Sequence, residues 1–433
     1  MNILLKNITI LPMTGENFII EKGYLIIDGQ YIKEIGEMEP AVSKDSFDKV
    51  IDGTNQVVLP GFINTHTHAA MTLLRGYADD LPLKEWLENK IWPLEARLTG
   101  DDCYWGTMLA ALEMIRSGTT TFCDMYFFMD KVAQAVKESG MRAVLAKGLI
   151  SLSANADQIL DEGAQLASDW HKQADERITV MLGPHAPYTC SPEFLTQVGK
   201  AAEQLGIGVH IHLAETKGEF DDIMSSYGKT PVGLVYETGL LERPVVAAHC
   251  VHLTSDDLDI LKKTGVGVAH NPESNMKLAS GVAPVPALLE RGVPVGLGTD
   301  GASSNNNLDM LQEMRTCALL HKVTQMNPTV IPAYQALAMA TVNGARVLRR
   351  ENELGQLKPG YKADMIILNL NGPHMIPRYD ILANIVYAAH AGDVDTVIVN
   401  GQILMEKKII KVVDEAMVLE NAKRTAQRLV KGC

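Results

Sequence analysis

Residues 59–68 read Leu59-Pro60-Gly61-Phe62-Ile63-Asn64-Thr65-His66-Thr67-His68, an apolar, strand-like run that ends in two histidines one residue apart. Because side chains alternate between the two faces of a strand, His66 and His68 point the same way and can hold one metal ion together. A bare His-x-His pair can also be no more than a polar strand end. The later strand ends therefore decide whether this pair belongs to a metal site.

Three later strand-like runs, over residues 209–213, 245–249 and 293–300, also end in residues that bind metals or move protons. The polar residues within or just after these runs are His210, His212, Glu215, His249 and Asp300. In a parallel barrel the C-terminal ends of the strands converge on one mouth, which carries the chemistry. So many polar strand ends in one chain favour a shared site over separate structural roles.

Helices and strands alternate through the middle of the chain. In residues 99–117 apolar side chains recur at helical spacing, Gly118 ends the helix, and a strand begins at Thr119. The eight strands predicted in this way lie at residues 59–68, 119–124, 143–147, 179–185, 209–213, 245–249, 266–270 and 293–300. Eight strands interleaved with helices predict an α/β fold, a (β/α)8 TIM barrel that spans residues 59–350.

The two ends of the chain have β character. Residues 1–58 alternate β-branched and polar residues, with turns at Asp28-Gly29 and Asp52-Gly53 that predict hairpins. Residues 351–433 contain further strand-like runs and a closing helix from about Asp414 to Val430. Because neither end is long enough to bury a core alone, we expect the two to pack together as one small β-sandwich.

Composition narrows the class of protein. The 433 residues are 46% hydrophobic, which suffices for one large barrel and an appendage. The formal net charge of −13, with no Lys/Arg-rich run, argues against a nucleic-acid partner. Six cysteines without a C-x-x-C pair are typical of reduced thiols in a cytoplasmic protein. The apolar run at the start of the sequence is too short to cross a bilayer, so no membrane association is expected.

Nine short motifs carry a resemblance to a known family. Five lie at strand ends: residues 60–68, His210-Ile211-His212-Leu213-Ala214-Glu215, Ala248-His249-Cys250, His270-Asn271-Pro272-Glu273-Ser274-Asn275 and Gly298-Thr299-Asp300. Together these resemble the amidohydrolase superfamily, in its mononuclear-metal deaminase branch. The other four are Leu73-Leu74-Arg75-Gly76, Trp92-Pro93-Leu94-Glu95, Pro184-His185-Ala186-Pro187-Tyr188 and Ser303-Ser304-Asn305-Asn306-Asn307-Leu308-Asp309. They are similar to the family of 5-methylthioadenosine/S-adenosylhomocysteine deaminases, and the resemblance covers nearly the whole chain.

The resemblance implies a hydrolytic deaminase with one divalent metal per subunit. The implied ligands are His66, His68, His212 and Asp300, a set that suits zinc and also accepts iron. Such a metal lowers the pKa of water toward neutrality, which makes hydroxide available to attack C6 of an adenine ring. Glu215 would move a proton from the water to ring N1, His249 would polarise the water or the tetrahedral centre, and Asp300 would also accept a proton. The products are the inosine analogue and ammonia.

Besides Glu215, which would also bind the substrate, the same resemblance assigns three substrate contacts. Glu95 would accept hydrogen bonds from the ribose hydroxyls, and His185 matches a histidine of the family that contacts the substrate. Where many members carry an arginine for the carboxylate of the homocysteine tail, this chain has Lys147, which keeps the charge but loses the bidentate fork. We therefore expect S-adenosylhomocysteine to be favoured less than neutral-tailed nucleosides such as methylthioadenosine, 5′-deoxyadenosine or adenosine.

The motifs are compatible with more than one metal count and more than one function. The fourth predicted strand ends in Gly183-Pro184-His185, without the lysine that commonly bridges two metals in binuclear relatives, so one metal is favoured. A deaminase of guanine or cytosine, or a triazine hydrolase, would have the same metal site. A non-catalytic relative with an assembly role is disfavoured because all the implied ligands are present. The expected partner is a small nucleoside, and a homo-oligomer is common for such barrels.

Overall fold

A computed structural model describes residues 1–16, 18–38, 47–81, 83–151 and 155–431. Its strands, in chain order, are β1 (Asn2–Ile10), β2 (Ile20–Asp28), β3 (Tyr31–Glu37), β4 (Lys49–Asp52), β5 (Gln56–Pro60), β6 (Phe62–Thr67), β7 (Thr119–Tyr126), β8 (Arg142–Leu149), β9 (Ile178–Pro184), β10 (Val209–Leu213), β11 (Val245–His249), β12 (Gly267–His270), β13 (Val295–Leu297), β14 (Met365–Asn369), β15 (Val394–Val399), β16 (Gln402–Glu406) and β17 (Ile409–Ile410). They form two separate sheets.

Helices follow most strands of the middle region. The α-helices of six or more residues are Gly100–Ser117, Met129–Ser139, Ala156–Trp170, Pro192–Leu205, Lys217–Tyr227, Pro231–Glu237, Ser255–Thr264, Pro272–Lys277, Val285–Glu290, Met310–Thr324, Ala333–Met339, Val342–Val347 and Glu415–Val430. The 3₁₀ and π helices and the shorter α-helices are Ala69–Leu74, Leu83–Trp86, Leu87–Ile91, Trp92–Glu95, Gln173–Glu176, Leu240–Glu242, Pro373–Met375, Ile381–Ala383, Asn384–Ala388 and Ala391–Asp393. In the described part of the chain, no helix is both long and apolar enough to span a membrane.

Strands β6 to β13 form the predicted barrel. They lie in chain order, and each pairs in parallel with the next. The first and last strands meet where the Thr65 hydroxyl donates to the Leu297 carbonyl oxygen at 2.8 Å and the Asp300 N–H donates to the His66 carbonyl oxygen at 3.0 Å. The prediction of eight parallel strands is thus confirmed. All their C-terminal ends open on one face.

The sequence predicted one strand over residues 59–68, but the structure contains two strands there. β5 ends at Pro60 and pairs antiparallel with β14 in the other sheet, whereas β6 begins at Phe62 inside the barrel. Gly61 separates the two strands, and a Cβ atom there would lie 2.1 Å from the Thr120 side chain. This close approach allows the chain to pass from one sheet to the other without a linker.

Strands from both chain ends build the second sheet, as predicted. Its order is β17-β16-β15-β14-β5-β1-β2-β3, with β4 also paired to β1. A tight hairpin joins β2 to β3 at Asp28-Gly29, but the turn at Asp52-Gly53 is not a hairpin, because β4 and β5 both run parallel to β1. The sheet encloses its own apolar core, separate from that of the barrel.

Arg142 joins the two sheets at the N-terminal end of β8. Its fully buried guanidinium donates from Nε and Nη2 to the two carboxylate oxygens of Asp364, at 2.7 and 3.1 Å, and from Nη2 to Asn400 at 3.0 Å. A bidentate pair of this kind holds both partners in one geometry. This buried ion pair adds to the apolar contacts between the barrel and the mixed sheet.

The two helices predicted in detail are confirmed. Gly100–Ser117 begins at the capping residue Thr99 and ends at Gly118, which adopts the left-handed conformation with φ 90°. Glu415–Val430 begins at its capping residue Asp414. The five described cysteines are buried and free, and Cys433 lies outside the described residues.

Candidate metal centre and catalytic cavity

The two histidines at the end of β6 converge on one carboxylate. His66 Nε2 and His68 Nε2 each lie 3.2 Å from Oδ1 of Asp300, which follows β13. The predicted period of two therefore places both rings on the same face of the strand, inside the barrel mouth. His66 is fully buried, and the His68 side chain is 16% exposed.

His212 and His249 complete the cluster from β10 and β11. His212 Nε2 lies 3.3 Å from His68 Nε2, and the ligand-type atoms of His66, His212 and His249 all lie within 4.8 Å of one another. The same limit holds for the ligand-type atoms of His66, His68 and Asp300. Four separate strand ends thus bring one nitrogen- and oxygen-rich centre together.

Hydrogen bonds orient three of the imidazole rings. His68 Nδ1 donates to the Met125 carbonyl oxygen at 2.6 Å, and His212 Nδ1 donates to the His185 carbonyl oxygen at 2.8 Å. His66 Nδ1 lies 2.9 Å from Nε2 of His210. A proton held at Nδ1 leaves the Nε2 lone pair free, which is the tautomer that a metal ligand requires.

This arrangement fits a zinc-type ion. His66 Nε2 is buried, faces the centre and has no hydrogen-bond partner, a costly state for an isolated imidazole nitrogen. Three imidazoles with one carboxylate are a ligand set that zinc accepts, at bond lengths of about 2.0–2.2 Å. The separations of 3.2 and 3.3 Å between ligand-type atoms suit neighbouring ligands at those bond lengths.

Two serines hold the other oxygen of Asp300. Ser274 and Ser304 donate to Asp300 Oδ2 at 2.6 and 2.9 Å, which leaves Oδ1 for the centre. Burial alone would raise the pKa of Asp300, but the adjacent imidazoles of His66 and His68 lower it well below the usual value. Asp300 therefore stays ionised and directed at the histidines.

Glu215 is the acidic residue best placed to exchange a proton. It follows β10, is 6% exposed, and its Oε2 lies 3.7 Å from His249 Nε2. Burial, with a further contribution from the charge of Asp300, raises the pKa of Glu215 to about 8. A carboxyl group with this pKa gains and loses a proton near neutral pH.

His249 is neutral at physiological pH. Burial lowers its pKa to about 4. The side-chain amides of Asn271 and Asn275 lie 3.2 and 3.0 Å from its Nδ1, and with both amides as donors the ring proton sits on Nε2. In that tautomer His249 can donate a hydrogen bond toward Glu215 and the centre.

A cavity of about 760 Å³, counted with its open mouth, lies above this cluster. Its wall includes His68, Glu95, Tyr126, His185, Tyr188, His212, Glu215, His249 and Asp300. Glu95 accepts a hydrogen bond from the Tyr126 hydroxyl at 2.8 Å, and His185 Nδ1 lies 2.9 Å from the Thr189 hydroxyl. Three of the implied metal ligands and the predicted substrate contacts Glu95 and His185 therefore line one cavity.

Lys147 lies outside this cavity, in an adjoining pocket. That pocket shares Trp92, Glu95 and Phe127 with the catalytic cavity and is also lined by Lys147 and Glu162. The Lys147 ammonium is paired with the Glu162 carboxylate, and this hydrogen bond lowers the pKa of Glu162. The sequence predicted the position of the lysine near the site but not its acidic partner.

The sequence reasoning also missed several residues that support the centre. They are His210, Glu219, Asn271, Ser274, Asn275 and Ser304. All of them except Glu219 lie in the motifs at 210–215, 270–275 and 303–309, so their presence there was the available signal. Their contacts depend on loops that only the fold brings together.

Comparisons with known proteins agree with this geometry. A sequence profile of the amidohydrolase family matches residues 57–404, and the chain belongs to that family. It is 61% identical over 431 residues to a 5-methylthioadenosine/S-adenosylhomocysteine deaminase of Syntrophomonas wolfei subsp. wolfei, a match that covers 99% of this chain and all of the relative. It is 56% identical to a protein of the same name from Moorella thermoacetica, with 95% and 96% of the two chains covered.

Solved structures show the same fold. An adenosine deaminase from Xanthomonas campestris with bound zinc superposes with a TM-score of 0.95 at 32% identity, over 99% of this chain and 98% of that one. A zinc complex of an atrazine chlorohydrolase from Arthrobacter aurescens TC1 gives a TM-score of 0.91 at 24% identity, covers 98% and 100% of the chains, and is a likeness of fold alone. We therefore assign the chain as a hydrolase that acts on carbon–nitrogen bonds of cyclic amidines, the class of its deaminase relatives. The resemblance read from the motifs is confirmed.

Proposed function

We propose that the protein deaminates 5′-substituted adenosines, converting the adenine base to hypoxanthine with release of ammonia. The proposed substrates are methylthioadenosine, S-adenosylhomocysteine, 5′-deoxyadenosine and adenosine. The observation that carries the proposal is the buried carboxyl of Glu215, with a pKa of about 8, beside four metal-type ligands at the base of one cavity. The names of the relatives support the same choice of substrate.

One zinc ion, held by His66, His68, His212 and Asp300, is the proposed cofactor, and iron suits the same ligands. The contribution of the bound metal is to lower the pKa of water so that hydroxide forms near neutral pH. Ser274 and Ser304 keep Asp300 ionised and oriented for this role. The zinc in the Xanthomonas campestris enzyme supports this choice of metal.

Proton transfer is assigned to Glu215. In this proposal its carboxylate takes a proton from the attacking water and delivers it to N1 of the adenine ring. The protonated ring then accepts the oxygen at C6, and a second transfer allows the amino group to leave as ammonia. The Nε2 proton of His249 stabilises charge on the attacking oxygen, while Asp300 is a second proton acceptor.

Glu95 and His185 would bind the nucleoside. Because the Tyr126 hydroxyl occupies Oε1 of Glu95, the other oxygen remains to accept hydrogen bonds from the ribose hydroxyls. Burial lowers the pKa of His185 to about 4, so its imidazole is neutral and can hydrogen-bond the purine. These contacts would favour a nucleoside over a free base.

Lys147 would face the 5′ substituent from the adjoining pocket. Its pairing with Glu162 offsets the positive charge that a carboxylate tail would need. We therefore infer that S-adenosylhomocysteine is used less efficiently than methylthioadenosine. The comparison to make is kcat/KM on both nucleosides, for the parent chain and for Lys147→Arg. A parent that already prefers the charged tail, together with no effect of the substitution, would contradict this assignment.

The function itself is tested by ammonia release and the accompanying ultraviolet change in zinc-loaded protein. Methylthioadenosine, S-adenosylhomocysteine, 5′-deoxyadenosine, adenosine, guanine, cytosine and a chlorinated triazine would be assayed in parallel. We expect turnover of the adenosine-type compounds only. Turnover of a free base or a triazine without turnover of any nucleoside would show that Glu95 and His185 do not bind ribose and purine.

A further inference from the structure

The backbone that carries Glu215 adopts an unusual conformation. Ala214, between the last residue of β10 and Glu215, has φ 53°, in the left-handed region that residues with a Cβ atom avoid. A turn at this point directs the next side chain away from the strand and into the cavity. Such a conformation persists only where surrounding contacts fix it.

Glu219 supplies those contacts from one side. Its Oε1 accepts the Ala214 N–H at 3.0 Å, and its Oε2 accepts the Glu215 N–H at 2.7 Å. Glu219 is 6% exposed and lies in the first turn of the helix Lys217–Tyr227. Burial raises the pKa of Glu219 to about 8, while the hydrogen bonds from the Glu215 and Ala214 N–H groups oppose this rise by favouring the carboxylate. The hydroxyl of Thr216 caps the same turn by accepting the Glu219 N–H at 3.1 Å.

The neighbouring strand end fixes the same turn from the other side. The Ala214 carbonyl oxygen accepts N–H groups of Val251 and His252, each at 2.9 Å. The N–H groups of residues 214 and 215 are both bonded to Glu219, so neither is left unpaired in this buried turn. The position of the Glu215 side chain beside His249 therefore depends on a small set of bonds.

We propose that Glu219 is a positioning residue for the reaction: its carboxylate holds the left-handed turn at Ala214 and so directs Glu215 at the substrate. This inference rests on the proposed role of Glu215. Two backbone donors side by side need two acceptor oxygens, which only a carboxylate of this length offers here. Glutamine supplies one oxygen and opposes the second N–H with its own NH₂, and aspartate is one methylene too short to reach both.

The test uses the zinc-loaded full chain with Glu219→Gln, and Asp222→Asn as the matched control. Asp222 is an exposed acid on the same helix, so its amide variant changes the charge equally without touching the turn. For Glu219→Gln we expect kcat on methylthioadenosine to fall about 10- to 100-fold, since small displacements of a catalytic group have effects of this size. KM and zinc content should stay within about threefold of the parent.

Amide hydrogen exchange gives a second measurement that does not depend on activity. We expect faster exchange at Ala214 and Glu215 in Glu219→Gln and parent-like exchange in Asp222→Asn. Unchanged kcat with unchanged exchange would overturn the proposal, as would a loss of kcat that follows a loss of zinc. If the amide variant does not fold, Glu219→Asp takes its place, with the same pattern expected.

The two proposals fail differently. A parent chain that turns over no adenosine-type nucleoside would contradict the proposed function. Exchange at the turn would still report whether Glu219 holds it. If the parent protein is active but amide exchange at Ala214 and Glu215 is the same in Glu219→Gln, only the positioning role is contradicted.

Discussion

Removing the acidic partner of Lys147 should change the preference for the 5′ substituent. The substitution Glu162→Gln keeps the size of the side chain and eliminates its charge. Lys147 and Glu162 side chains are 25% and 44% exposed, so their mutual attraction is that of a surface pair, about 0.5–1 kcal/mol. Freed from this partner, the ammonium can attract the carboxylate of the homocysteine tail by a comparable amount.

The expected effect is therefore a rise of about two- to fivefold in the ratio of kcat/KM for S-adenosylhomocysteine over methylthioadenosine, the factor that corresponds to 0.5–1 kcal/mol. The assay follows the ultraviolet change at low and at high ionic strength, because salt should reduce the gain. The matched control is Glu203→Gln. Glu203 is an exposed acid in the helix Pro192–Leu205 and is paired with Arg243. A ratio that stays constant or falls would refute the reasoning. A fall in particular would mean that Glu162 binds the ammonium group of the tail.

Three further predictions concern the centre and the fold. His210→Phe removes the ring that bonds His66 Nδ1, and we expect zinc affinity to fall about 10- to 100-fold in competition with a chelator; unchanged affinity would contradict a supporting role. Glu215→Gln should lower kcat about 10²- to 10⁴-fold with zinc still bound, measured by turnover and metal analysis; near-parent turnover would exclude it as the proton carrier. Arg142→Ala leaves the Asp364 carboxylate buried without its cationic partner, so the free energy of unfolding, measured in denaturant titrations, should fall by about 3–5 kcal/mol. Zinc content and kcat of the folded protein should stay unchanged. A fall of less than about 1 kcal/mol would refute the importance of this pair.

Much of the barrel could be predicted because its signals are local. The alternation of side chains over residues 62–68 and 209–213 places His66 with His68, and His210 with His212, on one face of each strand, whatever packs against it. The split at Gly61 could not be predicted, since it depends on the approach of Thr120 from a strand almost 60 positions later. Similarly, the turn at Asp52-Gly53 looks like a hairpin locally, but pairing with β1 decides its geometry.

The site was only partly accessible from the sequence for a related reason. His66, His68, His212 and Asp300 end strands, and strand ends of a parallel barrel must meet. The partners of these residues come from loops and helices whose direction the sequence does not encode in a simple period. Glu219 is an example: four residues after Glu215 on a helix, it reads as a first-turn acid until the fold turns its carboxylate back onto the strand end.

The most direct test of a single-metal deaminase is reactivation of metal-stripped protein by zinc, followed as ammonia released from methylthioadenosine. The stripped protein should be inactive, and its activity should rise linearly and level off at one zinc ion per chain. Activity that is independent of zinc, or that levels off only at two ions per chain, would contradict the assignment of His66, His68, His212 and Asp300 as the ligands of one catalytic metal.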